Sequence, residues 1–329
     1  MPELELDEQD HARLERLRAA FLASRGRSPW RDARDLEVYD ATFARRIAWK
    51  WGAVIDELGR RDALVPSARV LDFGCGTGVA ARSWLAGPAG GAAGEVWLHD
   101  AAPLAVEHAA RAVTAQRPNL RVHRGLPPAA PDLLLVSHVL GELASAELEQ
   151  LVALARGAQA VVWVEPGARE TSRALAGVRD ELFDAFDVLA PCTHAARCPL
   201  LAPGAEAEWC HGFARPPREV FTSSWWVKLG QRLAIDLRSV PFSFLALRKK
   251  AEGSAARAPY GGDRILGRPR IEKGRALLDA CGPAGLRSLR LVARDDRAFF
   301  ERLSAPEGEA LLYRLAVEDG RIRAAERLV

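Results

Sequence analysis

The sequence predicts an α/β fold, a doubly wound and mostly parallel seven-stranded sheet with N-terminal helices, a Cys-rich metal-binding insertion and a small C-terminal β-rich module. Three observations predict it. From Ala68 onward, strand-sized apolar runs alternate with helical patterns, which calls for right-handed crossovers and parallel pairing. Runs such as Asp132 to Val136 and Ala160 to Val164 lack polar alternation, as strands covered on both faces do. A glycine-rich turn directly follows the first run. The composition agrees: 329 residues, 49% hydrophobic, with 46 Lys+Arg against 43 Asp+Glu, exclude disorder, collagen and a small disulfide scaffold. The length predicts about two domains.

Taken in order, residues Asp7 to Ser24 and Ala33 to Leu58 carry apolar positions at helical spacing, among them Phe43, Ile47, Trp51 and Ile55, and predict two amphipathic helices. Trp49 and Trp51 read as core. The run ARVLDF is the first strand, followed by a helix through Trp84, the strand EVWLHD, a helix from Pro103 to Ala115, and the strands LRVHR and PDLLLVSH. A helix from Ala144 to Arg156 and the strand AVVWVEP come next, and a further helix is expected to run to about Leu189. Regularity then breaks in the segment APCTHAARCPLLAPGAEAEWCHGFARPP, which offers few apolar groups to bury and needs another source of order. QRLAIDLRS and VPFSFLALRK read as the last strands of the sheet, and AEGSAARAPYGGD as a hinge. The expected organisation is a helical region over 1–62, an α/β domain over 63–250 with its insertion at 190–216, and a β-rich module over 251–329 that meets RNA.

The turn Val70-Leu71-Asp72-Phe73-Gly74-Cys75-Gly76-Thr77-Gly78 places glycines where a backbone bends tightly and approaches a ligand with no Cβ in the way. Its G-x-G-x-G order, with an acid two residues before the first glycine, differs from the dinucleotide fingerprint. It resembles motif I of the class I S-adenosylmethionine-dependent methyltransferases, whose fold is Rossmann-like. The resemblance implies Asp72, Gly74, Gly76 and Gly78 around S-adenosylmethionine, and Asp100, at the end of EVWLHD, on its ribose. His138, at the end of the fourth strand where ligands bind in this topology, completes the candidate cofactor set. No catalytic base is evident: the third strand ends His123-Arg124, and the fourth lacks the Asn/Asp-Pro-Pro-aromatic signature that holds a base amino group.

Cys192, Cys198 and Cys210 fall in the irregular segment and Cys281 lies further on. Three soft ligands in a loop without a core, with a fourth elsewhere, are what a thiolate-bound metal requires. The C-x5-C-x11-C spacing leaves zinc, an iron-sulfur cluster and unligated thiols all open. His194 or His211 would replace a thiolate in a zinc site, and Pro191-Cys192 matches a covalent base-methylation nucleophile in composition but not in position. Together, LDFGCGTG, SHVLGEL, VWVEPG, PCTHAARCPL, EWCH, FSFLALRK and ILGRPRIEKG followed by Cys281 resemble the methyltransferase-like small ribosomal subunit assembly factors of mitochondria and their bacterial branch, from Tyr39 to Arg294. The resemblance implies a 4Fe-4S cluster, with zinc the alternative, on Cys192, Cys198, Cys210 and Cys281, and association with small-subunit rRNA.

Charge placement points the same way. His211 to Phe300 hold 18 Lys+Arg against 8 Asp+Glu, a pattern suited to a polyanion. The candidate RNA-binding residues are Arg248, Lys249, Lys250, Arg264, Arg268, Arg270 and Lys273; Trp225 and Trp226 are candidates to stack on bases, with buried packing the competing role. The expected function is that of an S-adenosylmethionine-binding, cluster-containing, methyltransferase-like protein acting on the small ribosomal subunit in its assembly or in translation. Two alternatives stand beside it: an active rRNA or ribosomal-protein methyltransferase with structural zinc, and a non-catalytic, cluster-dependent RNA-binding assembly factor. The charged N-terminus lacks a secretory h-region and no apolar run reaches membrane-spanning length, so a cytoplasmic protein is expected.

Overall fold

The computed structural model describes residues 4–23, 29–251, 261–304 and 312–328. Three helices come first: α1 (Glu8–Ala23), α2 (Ala33–Ala41) and α3 (Phe43–Arg60). The sequence predicts one helix where α2 and α3 stand. Thr42 separates them, because its hydroxyl donates to Val38 O at 2.6 Å and its N–H to Tyr39 O, closing α2 early. Asp32 caps α2 by accepting from Asp35 N at 3.0 Å.

The chain continues through β1 (Arg69–Phe73), α4 (Val79–Ala86), β2 (Glu95–His99), α5 (Pro103–Gln116), β3 (Arg121–Arg124), β4 (Leu133–Ser137), α6 (Ser145–Gly157) and β5 (Ala160–Pro166). After these come α7 (Arg169–Leu182), β6 (Phe186–Ala190), β7 (Gly212–Ala214), α8 (Glu219–Thr222), α9 (Ser224–Arg232) and β8 (Val240–Lys249). The last elements are β9 (Asp263–Glu272), β10 (Arg275–Gly282), β11 (Gly285–Val292), α10 (Arg297–Ser304), β12 (Leu312–Glu318) and β13 (Arg321–Arg327). Two expectations change. The helix after Glu165 stops at Leu182 and the strand β6 follows it, and QRLAIDLRS is the end of α9 and a turn instead of a strand. Most of the expected hinge, 252–260, lies outside the described residues.

Two compact units result. Met1–Ile55, Leu64–Val164 and Ala214–Val240 form the first, and Asp56–Ala63, Glu165–Phe213 and Pro241–Val329 the second. In the first unit the strands run β3-β2-β1-β4-β5, each pair parallel, with a helix between successive strands except β3 and β4. This order reverses at β1, so the ends of β1 and β4 flank the switch point where ligands bind. Leu133 to Val136 and Ala160 to Val164 are buried throughout, as their unbroken apolar runs predict. Leu14, Leu17, Val38 and Trp226 form a second apolar cluster in this unit.

In the second unit β6 pairs antiparallel with β8, and β7 also pairs with β8. The strands β9 to β13 close a barrel in the order β10-β11-β13-β12-β9. Alternation explains it: Ala276, Leu278 and Ala280 on β10 and Leu289 and Leu291 on β11 point inward, where Phe299 and Leu303 of α10 join them. No described helix is long and apolar enough to cross a membrane.

Candidate functional site

The first unit holds a cavity at its switch point, lined by Gly74, Cys75, Gly76 and Thr77 after β1, Asp100 after β2, and Ser137, His138 and Val139 after β4. The three glycines have positive φ, of 68°, 51° and 75° at Gly74, Gly76 and Gly78, and each is needed for a different reason. A Cβ on Gly74 would meet Val139 Cγ1 at 2.5 Å, and one on Gly78 would meet Ala109 Cβ at 3.0 Å. At Gly76 a Cβ would have no neighbour within 4 Å, so this backbone is bare towards open space. Its N–H donates to Asp100 Oδ2 at 2.9 Å, while Ala102 N donates to Oδ1 at 2.8 Å, which fixes the Asp100 carboxylate at the rim.

Asp72 stands behind the turn and does not line the cavity. It is fully buried; Oδ2 accepts from Ala81 N at 2.9 Å and Oδ1 has no partner among the described residues. Burial, seconded by the Asp100 charge, pushes its pKa up to about 7. A desolvated carboxyl with an unused oxygen beside a bare glycine turn fits a ligand that brings a cationic amino group.

His138 has φ of 59°, a costly conformation for a β-substituted residue and one that clusters at functional sites. Lys50 Nζ lies 2.8 Å from its Nε2, and Ser137 Oγ lies 3.2 Å from its Nδ1 and accepts from Trp51 Nε1 at 3.0 Å. Burial, then the charges of Lys50 and Arg46, depress its pKa well below the usual histidine value. A neutral ring that accepts from an ammonium at Nε2 carries its proton on Nδ1. Phe21, Trp30 and Tyr39 complete the cavity wall, Trp30 and Tyr39 meeting edge to face at 5.0 Å. Sequence reasoning missed Lys50, Trp30 and Tyr39; their signal was an aromatic-rich helical pair preceding the glycine turn. His123 is taken by Trp97, on which it stacks at 4.5 Å, and by Glu95.

The second unit brings the four late cysteines together. All are free thiols, and Cys198, Cys210 and Cys281 share one apolar cluster. Burial and then Cys192 raise the Cys198 thiol to about 11; Cys210, where burial again dominates, reaches about 12. Cys281 is raised by burial and next by Cys192, Cys210 and Cys198. Arg179 Nε donates to Cys192 Sγ at 3.2 Å, and Asp180, its ion-pair partner, accepts from Cys198 N at 2.9 Å. His194 Nε2 lies 3.6 Å from Cys281 Sγ. Among the described residues, no three His, Cys, Asp or Glu side chains close round a point as the ligands of a single metal ion do.

The candidate RNA-binding cations divide. Arg248, Lys249, Arg268, Arg270 and Lys273 are exposed, Arg270 pairing with Glu272 at 3.1 Å. Lys250 donates to Phe183 O at 2.9 Å. Arg264 is a correction: it is buried and donates to both oxygens of Glu57, at 2.6 and 3.2 Å, so it neutralises an interior carboxylate and is closed to a phosphate. Trp226 is fully buried and Trp225 donates to Leu4 O at 3.0 Å, so these rings serve packing.

The sequence profile of the family described as mitochondrial small ribosomal subunit Rsm22 matches residues 44–305. No curated protein matches the chain. Among solved structures, a Thermoplasma acidophilum protein, 1320, is 15% identical with a TM-score of 0.37 over 68% of this chain and 100% of its own. The magnesium protoporphyrin IX methyltransferase of Synechocystis PCC 6803 with bound SAH is 11% identical with a TM-score of 0.39, over 74% of this chain and 95% of its own. An S-adenosylmethionine-dependent methyltransferase of Clostridium acetobutylicum is 15% identical with a TM-score of 0.32, over 42% of this chain and 59% of its own.

Proposed function

The chain belongs to the mitochondrial small ribosomal subunit Rsm22 family, and on that premise we propose that it is a methyltransferase-like protein of the small ribosomal subunit that binds S-adenosylmethionine and a 4Fe-4S cluster. The observation that carries this reading is the convergence of four free thiols, three from one irregular segment and one from β10. The irregular segment is poor in large apolar residues, and a shared inorganic centre would supply order that its composition lacks.

Cys192, Cys198, Cys210 and Cys281 are the ligands in this reading. A single zinc ion draws its ligands to about 2.0–2.3 Å of one point. A polynuclear cluster spreads its thiolates over several iron atoms, and Arg179 would offset thiolate charge at Cys192. The second reading, zinc, draws on His194 beside Cys281. When bound, S-adenosylmethionine supplies an electrophilic methyl group. The chain's part is to receive it: Gly76 leaves the backbone open, Asp100 presents a fixed carboxylate, and Asp72 offers an unpaired buried oxygen. Neutral His138, its Nε2 facing Lys50, lines the cavity as a positioning group.

Contact with rRNA falls to exposed cations, Arg248, Lys249, Arg268, Arg270 and Lys273 among them. The test is co-sedimentation of the full chain with isolated small subunits at rising salt, with S-adenosylmethionine binding followed by calorimetry. Association that weakens with salt and micromolar cofactor binding lost in Asp100→Ala support the reading. Salt-independent association, or no cofactor binding, contradicts it.

A further inference from the structure

The barrel of the second unit carries its own ligand face. Numbered from its first strand, its order is 1-2-3-5-4-1, all pairs antiparallel except the third with the fifth, where Arg290 pairs with Arg321 and Leu291 with Ile322. A helix, α10, sits between the third and fourth strands. This is the connectivity of the OB-fold, a five-stranded Greek-key barrel that takes oligonucleotides on the face of its second and third strands and on the loop between its fourth and fifth.

A groove lies at that place. Leu277 and Asp279 of β10, Ser288 and Arg290 of β11, and the Asp319-Gly320 turn between β12 and β13 line it. Arg268 and Arg270 of β9 form its other wall, with Glu208. Arg268 and Arg290 are exposed and have no carboxylate partner among the described residues.

A stack of rings leads into the groove. Trp209 and His211 stack at 4.8 Å and 15°, His211 meets Phe213 at 5.4 Å, and the Arg268 guanidinium lies over Phe213 at 4.0 Å. Gly267 is required beside it, since a Cβ there would stand 2.8 Å from the His211 ring. Arg268 therefore already lies over one ring while remaining exposed to a ligand.

The groove is not a phosphate track. Glu208, Asp279 and Asp319 offset the guanidinium groups, and Asp279 is held by Ser288 Oγ at 2.6 Å. Fixed carboxylates accept base N–H groups and repel a continuous run of phosphates. We propose that this groove binds a single-stranded RNA segment, with phosphates on Arg268 and Arg290 and a base stacked on the Phe213–Arg268 pair. The proposal rests on the small-subunit reading above for its occupant, and on the barrel for its site.

The test is fluorescence anisotropy of the full chain with single-stranded RNA of about twelve nucleotides, within the range OB-folds cover, and with a duplex of the same length. The single strand is expected to bind at least tenfold more tightly than the duplex, with a log-log salt slope of about −1.4 for two phosphates. The double variant Arg268→Ala/Arg290→Ala is expected to lose about tenfold with an unchanged unfolding midpoint, both side chains being exposed. Phe213→Leu is expected to weaken binding threefold or more and leave the salt slope in place. No single-strand binding, equal duplex binding, or a double-variant loss below threefold overturns the proposal. Co-sedimentation of the same proteins with small subunits separates the two readings. A chain that binds the oligonucleotide but no subunit keeps this site and loses the proposed function; one that binds subunits but no oligonucleotide does the reverse.

Discussion

At the residue scale, Asp72 sets a pH dependence that the first unit must show. Its ordinary value of 3.8 in the unfolded chain rises to about 7 on folding, with burial the main cause. Below about pH 4 both states hold the proton. Between about 4 and 7 the folded state keeps it and the unfolded state has lost it, so stability falls as pH rises through this window and is level above it. Asp72→Asn is expected to be more stable than the parent at pH 8 by about 2–4 kcal/mol, and equal to it at pH 4. Urea unfolding of both proteins at the two pH values checks this, and a constant difference would contradict it. Gly76→Ala makes a complementary prediction. The φ of 51° costs an alanine about 1–2 kcal/mol, and no neighbour stands within 4 Å. The variant should fold and yet lose tenfold or more in S-adenosylmethionine affinity by calorimetry, because its methyl would project into the space assigned to the proposed cofactor.

At the element scale, Gly267 within β9 and Gly274 in the turn after it differ in their surroundings. Gly267→Ala meets both a φ of 61° and the His211 ring, which is backed by Trp209, whereas Gly274→Ala meets only a φ of 75°. The first is expected to cost about 3 kcal/mol and to disturb the ring stack; the second costs about 1 kcal/mol. Denaturation midpoints of the two variants decide it. The strands β1 to β5 were legible because strand-sized runs alternate with helical patterns, β4 and β5 carrying unbroken apolar stretches. The strand β6 was not: the helical periodicity of α7 runs on towards Leu189, and only tertiary pairing with β8 makes Phe186 to Ala190 a strand. Ile235 and Leu237 imitate strand alternation, but both pack into the apolar cluster of the N-terminal helices. Arg264 read as an RNA contact because nothing local announces Glu57, which lies 207 residues away.

At the scale of the whole molecule, two ligands are expected to stabilise two different units. Saturating S-adenosylmethionine, at about 100 times its Kd, adds about 2.7 kcal/mol to the first unit, and iron chelation destabilises the second. Calorimetric scans should show the cofactor and the chelator acting on separate transitions; a single transition moved equally by both would contradict this. Cys192, Cys198 and Cys210 stood out in the sequence as candidate soft ligands in a segment without a core, with Cys281 the fourth candidate from elsewhere. The aromatic wall of Trp30 and Tyr39 was not, because nothing in a helical pattern tells which face closes over a cavity. The most direct measurement is the iron and acid-labile sulfide content of anaerobically purified protein, with Cys281→Ser alongside. Four iron and four sulfide per chain in the parent, and a loss of most of both in the variant, are expected of a 4Fe-4S centre on these thiols. One zinc per chain with no sulfide, or iron unaffected by Cys281→Ser, would contradict it.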